Sequence, residues 1–154
     1  MKNLFWALVL PVFVLSCKKE SSNCPEVTIK APDAEIATLR TFITSSGITA
    51  TEDSRGFFYT ISLPGTGNNP TPCSGVAVNY TGKLTNGTQF DNGTNVSFNL
   101  SQLIIGWQQG IPLLKPGGSI TLYLPPSLAY GSVANGSIPA NSNLVFEIKL
   151  NAVY

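Results

Sequence analysis

Apolar residues fall into three rhythms along this chain. From Leu4 to Leu15 they form a nearly unbroken run. Between Pro32 and Ser46, Ile36, Leu39, Phe42 and Ile43 recur at spacings of three, three and one, which puts them on one side of a helix. Asp33 is placed to cap that helix, Glu35 sits in its first turn, and Gly47 ends it. After Gly56 the rhythm shortens to strand-like runs bounded by Gly, Pro and Asn: Phe57–Leu63, Val76-Val78-Tyr80, Ile120-Leu122-Leu124 and Phe146-Ile148-Leu150. Asn86-Gly87 is a strong turn signal. Gln102 to Ile111, bounded by Gly106 and Gly110, is the one candidate for a second, short helix. The pattern predicts an α+β domain, an antiparallel sheet curved around one short helix with an added N-terminal helix.

The first apolar run follows Met1-Lys2-Asn3 and is too short to span a bilayer, but it has the layout of an export signal. It ends in Val14-Leu15-Ser16-Cys17, which resembles the bacterial lipobox, where the leader is cut before the Cys and the Cys is acylated. The resulting plan is a leader at 1–16, a tether with the N-terminal helix at 17–55, lipidated at Cys17, and the main domain at 56–154. More than one acyl chain, at about 0.8 kcal/mol per buried methylene, makes such an anchor stable. Cys24 and Cys73 then remain, and in an oxidising compartment they form either a disulfide or two separately buried thiols.

Composition removes several functions. Charged residues are 11% of the chain and the formal net charge is +1, so no basic field exists to attract nucleic acid. The chain has no His, which removes the commonest general base, metal ligand and nucleophile activator. Neither a metal nor a cofactor is expected.

Five segments in order carry a family resemblance: Val78-Asn79-Tyr80-Thr81-Gly82-Lys83-Leu84, Asn86-Gly87-Thr88-Gln89-Phe90-Asp91, Phe98-Asn99-Leu100, Leu103 to Gly110 through Gly106-Trp107, and Ala129-Tyr130-Gly131. Together with Ile138-Pro139-Ala140 and the run to Ile148, they resemble the FKBP-type peptidyl-prolyl isomerases over about a hundred residues. The resemblance implies a five-stranded antiparallel sheet around a short helix, with an apolar pocket between them. It implies Tyr80, Phe90, Asp91, Trp107, Tyr130 and Phe146 as catalytic residues, with Trp107 as the floor, and Val96, Gln102, Leu103, Ile104 and Ile138 as substrate-binding residues. Gln102 would present a backbone carbonyl and Ile104 an amide donor. Taken singly, an aromatic residue reads as core; the ordered set changes that reading for Phe90, Trp107 and Phe146, while Phe98 stays core. Val96 stands where many members have phenylalanine, no basic residue follows Asp91, and the loop Ser132 to Ser137 lacks an aromatic residue.

The implied activity needs no His. A prolyl amide twists over a barrier of about 18–20 kcal/mol without any bond being broken, so selective binding of the twisted amide suffices. The implied partners are proline-containing polypeptides and macrolide ligands, and the implied place is the envelope of a Gram-negative bacterium, through a lipid anchor in the outer membrane. Two other readings stay open: a non-catalytic chaperone using the same pocket, and a surface lipoprotein in which the domain is only a scaffold.

Overall fold

The computed structural model describes residues 24–154, so the leader and Cys17 lie outside the described residues. The framework is one antiparallel sheet of six strands: β1 (Thr51–Glu52), β2 (Phe58–Leu63), β3 (Gly75–Leu84), β4 (Gln89–Asn99), β5 (Ser119–Leu124) and β6 (Leu144–Val153), in the order β1-β2-β5-β6-β3-β4. The five expected strands are present. The sixth, β1, has two residues, too few for any periodicity to announce it; it pairs Thr51 with Tyr59 and Glu52 with Phe58.

The N-terminal helix α1 spans Asp33–Ser45 and buries Ile36, Leu39 and Ile43. The cap is Pro32 rather than Asp33. Asp33 occupies the first helical position, where its carboxylate pairs with Lys30 (2.9 Å) and leaves the backbone donors unbonded by a side chain. The other end closes as expected at Gly47, whose φ of +65° suits a residue without Cβ. The Gly47 N–H donates to Thr44 (3.1 Å) and the Ile48 N–H to Ile43 (3.0 Å), the paired bonds of a Schellman motif.

The second helix is shorter than the sequence suggests. α2 covers Ile105–Gly110 only, between single 3-10 turns at Leu100–Gln102 and Ile111–Leu113. Asn99 caps the first turn through Ser101 N–H (3.2 Å), Leu103 is extended, and Pro112 ends the helical run. Gly106 and Gly110 do not bound this helix but seat it: a Cβ there would come within 2.5 Å of Leu124 or 2.6 Å of Leu122, so α2 lies directly on β5.

β4 runs unbroken through Asn92-Gly93-Thr94-Asn95. The polar stretch is absorbed by a bulge: Val78 pairs with Val96 and Tyr80 with Gly93, so Asn79 faces two residues. Asn95, at φ +52°, donates its N–H to Asn79 Oδ1 (2.7 Å), which replaces the missing ladder bond.

One buried cluster joins α1, the strands and Trp107 of α2. Ala31, just ahead of α1, belongs to it as well. Cys24 and Cys73 are joined by a disulfide with Cα atoms 5.8 Å apart.

Candidate active site

Between α2, β3, β4 and the loop after β5 lies a cavity of about 260 Å³ lined by Tyr80, Asp91, Phe98, Gln102, Leu103, Ile104, Trp107, Tyr130 and Phe146. Trp107 is buried at its base and is met edge-on by three rings: Tyr80 at 5.2 Å, Phe146 at 5.3 Å and Phe98 at 6.0 Å. Each such pair contributes about 0.5–1.5 kcal/mol beyond area burial, so the base of the cavity is rigid. Trp107 reaches it because it lies one residue beyond Gly106, on the helix that touches β5. Phe146 and Tyr80 point the same way because β6 and β3 pair Ile148 with Tyr80 and Phe146 with Gly82. A side chain at Gly82 would strike Phe90 at 2.6 Å and Phe146 at 2.9 Å, so the glycine makes room for both rings.

At the base, Trp107 Nε1–H is buried with no hydrogen-bond partner among the described residues, and the oxygen-bearing groups sit at the rim. Tyr80 donates its hydroxyl to Asp91 Oδ2 (2.8 Å), and Asp91 Oδ1 accepts from Asn92 N–H (2.8 Å). Burial first, then the bond to Asp91, pushes the Tyr80 phenol up to about 12. Burial and the Asp91 charge raise the Tyr130 phenol too. Tyr130 is 38% exposed, and its hydroxyl has no protein partner among the described hydrogen bonds. It is delivered by the turn after β5, where Ala129 N–H and Gly131 N–H both donate to Pro126 O (2.9 and 2.8 Å). Leu103 O accepts from Gln108 Nε2 (2.7 Å), and the Ile104 N–H, at the start of α2, is a free donor among the described residues.

Of the residues singled out in sequence, the cavity gathers Tyr80, Asp91, Gln102, Leu103, Ile104, Trp107, Tyr130 and Phe146. Three stand outside its lining. Phe90 packs edge-to-face on Phe146 at 5.6 Å. Val96 is drawn by the bulge to Val78 and to the face of Gly93. Ile138 is buried in the core and anchors its loop through paired bonds with Asn135 (2.9 Å each). Phe98, read as plain core, is part of the wall; its period-two spacing from Val96, just before the pocket helix, is the signal that could have found it.

A larger groove of about 430 Å³ crosses the opposite face of the sheet, between Asn79, Thr81, Thr121, Glu147 and Lys149. It is open and polar and gathers no aromatic cage. Among the described residues no group of three His, Cys, Asp or Glu side chains could hold a metal ion.

The sequence profile described as FKBP-type peptidyl-prolyl cis-trans isomerase matches residues 67–151. FKBP-type peptidyl-prolyl cis-trans isomerase FkpA of Aeromonas hydrophila is 42% identical over 111 residues, covering 70% of this chain and 41% of that protein. The probable FkpA of Neisseria meningitidis serogroup B is 46% identical over 100 residues, covering 62% of this chain and 37% of that protein. The chain thus spans less than half the length of these curated relatives. Among solved structures, that of FkpA from Escherichia coli superposes with a TM-score of 0.69 at 37% identity, over 79% of this chain and 58% of that one. A peptidyl-prolyl cis-trans isomerase from Pseudomonas syringae pv. tomato gives 0.69 at 34% identity, over 80% and 97%. With its curved antiparallel sheet, its short helix and a profile match over more than half its length, this chain belongs to the FKBP-type peptidyl-prolyl cis-trans isomerase family.

Proposed function

We propose that the chain is a peptidyl-prolyl cis-trans isomerase that assists the folding of exported or envelope proteins. The observation that carries this reading is the cage of Tyr80, Phe98 and Phe146 around the buried Trp107, whose Nε1–H has no partner among the described residues, with further uncommitted donors at the edge. A proline ring set against Trp107 places its amide inside an apolar wall. The planar amide is favoured by a charge-separated resonance form that water solvates, so a dry wall favours the twisted, less polar amide. Tyr130 Oη–H and Ile104 N–H are the donors for the carbonyl as it rotates, and each 1.4 kcal/mol of preference for the twisted state gives about a tenfold rate increase. Asp91 holds the Tyr80 ring against the floor and keeps its hydroxyl occupied. No proton is transferred, which agrees with a chain lacking His.

The site assignment joins Tyr80, Asp91, Trp107, Tyr130 and Phe146 as the working set, with Gln102, Leu103 and Ile104 as the substrate-binding edge. Phe90 supports it through Phe146. The clients are proline-containing polypeptides, and the same cavity is the candidate seat of a macrolide. The leader and Cys17 support a lipid-anchored protein of the Gram-negative outer membrane. A protease-free isomerisation assay on a prolyl peptide tests the reading. Accelerated exchange is expected; a chain that binds unfolded protein yet leaves exchange unchanged would establish the chaperone reading instead.

A further inference from the structure

The described residues ahead of α1 form a strap, Cys24 to Ala31, tied to the body at several points. Cys24 is bonded to Cys73. Glu26 pairs with Arg55 (3.2 Å), which is itself held by Asp53 (2.8 and 2.9 Å), and Ala31 N–H donates to Arg55 O (2.9 Å). The remaining tie reaches the pocket helix. Gln109, in α2 and 1% exposed, donates from Nε2 to Val27 O (3.1 Å) and to Ile29 O (2.7 Å). Only the amino end of the amide can face two carbonyls, so its orientation follows from its partners. Gln109 Oε1 is buried with no partner among the described residues. An apolar side chain of similar length would avoid that cost, but it could not hold the strap.

The helix needs such a hold. Six residues make a marginal helix on their own, and α2 presents glycines, not interlocking side chains, to β5. Trp107 and the Ile104 N–H both ride on it. Building on the pocket reading above, we propose that Gln109 is a positioning residue of the isomerase site. It fastens the helix under the pocket to a strap that the Cys24–Cys73 disulfide holds in place, so that oxidation of this pair tightens the floor. Reduction by a dithiol such as dithiothreitol adds two electrons and two protons across the S–S bond, gives two thiols, and turns the reductant into its own disulfide.

The test uses the full chain in detergent, with kcat and KM on a prolyl peptide well below the melting temperature and amide hydrogen exchange over residues 105–111. Gln109→Met keeps the length and removes the donor. It is expected to lower kcat by about tenfold with little change in KM, since a misplacement of 1 Å can cost about 100-fold, and to speed exchange in α2. Dithiothreitol is expected to lower the kcat of the wild-type chain by a smaller factor and to leave Gln109→Met unaffected, because its tie is already gone. Wild-type kcat in folded Gln109→Met, or a variant as sensitive to dithiothreitol as the wild type, overturns the proposal. Should Gln109→Met fail to fold, Cys24→Ser/Cys73→Ser with Gln109 intact carries the test, and a wild-type kcat there overturns it as well. An inactive wild-type chain refutes the isomerase reading instead, and unchanged exchange in Gln109→Met then still refutes the tie.

Discussion

Tyr130→Phe separates catalysis from folding more cleanly than any other change at the site. The substitution removes one oxygen from a ring that is 38% exposed, and that oxygen has no protein partner among the described hydrogen bonds. Nothing buried is orphaned, so stability should stay within about 0.5 kcal/mol of wild type, as for an ordinary surface change. The effect on turnover comes from one hydroxyl donor to one carbonyl, net about 0.5–1.5 kcal/mol, or about 2- to 12-fold in kcat/KM. It should appear in kcat, because the planar substrate carbonyl does not yet lie where the rotated one will. Tyr80→Phe is the contrasting variant. The Tyr80 hydroxyl is already committed to Asp91, so its removal frees a water-accessible carboxylate and loosens a wall, and KM should rise. The measurement is a protease-free exchange assay in the cold, where uncatalysed isomerisation takes minutes. Equal kcat for Tyr130→Phe and wild type, with both melting alike, would remove the hydroxyl from the mechanism and leave desolvation by the aromatic cage as the source of rate.

Phe90→Ala should cost about 2–3 kcal/mol in a denaturant titration, since it removes a half-buried ring from Phe146; unchanged stability would contradict the packing described. Activity should be flat from about pH 6 to about pH 9, because both pocket phenols are raised and no His is present. A bell-shaped profile there would show a titrating group at work. Stability linked to Tyr80 is complete below pH 10 and is lost as pH climbs from 10.0 to about 12, because the folded chain holds that proton longer than the unfolded one. Labelled fatty acid should enter the wild-type chain in a Gram-negative host and be absent from Cys17→Ala; equal labelling would refute the anchor.

The strands most legible in sequence were those with one wet and one dry face. Ile120-Leu122-Leu124 and Phe146-Ile148-Leu150 alternate cleanly, and their registers follow. β4 was hidden because its middle is spent on a bulge, and the residues that make a bulge, Asn and Gly, are also those that make turns. The bulge also explains why Val96 left the pocket wall to Phe98. Asp33 was read as a cap because its side chain can serve as one; a nearby Lys30 offered it an ion pair instead. Gln109 could not be singled out at all. Its partners are backbone carbonyls about eighty residues earlier, and a carbonyl carries no trace in the identity of the residue that bears it. For the same reason Glu35 looked like helix-end electrostatics, yet its carboxylate accepts from Ser127 N–H (2.9 Å) and so steadies the turn that presents Tyr130.

The strand order has a consequence for when this protein becomes a protein. β6, the last strand in chain order, lies between β5 and β3, and among the described residues no other strand bridges them. Until it arrives, the sheet consists of two separate pieces, β1-β2-β5 and β3-β4, with no shared edge. Vectorial synthesis therefore cannot close this sheet before residues 144–153 have been made. Were the chain exported as proposed above, an architecture whose closing strand is made last would suit passage before folding.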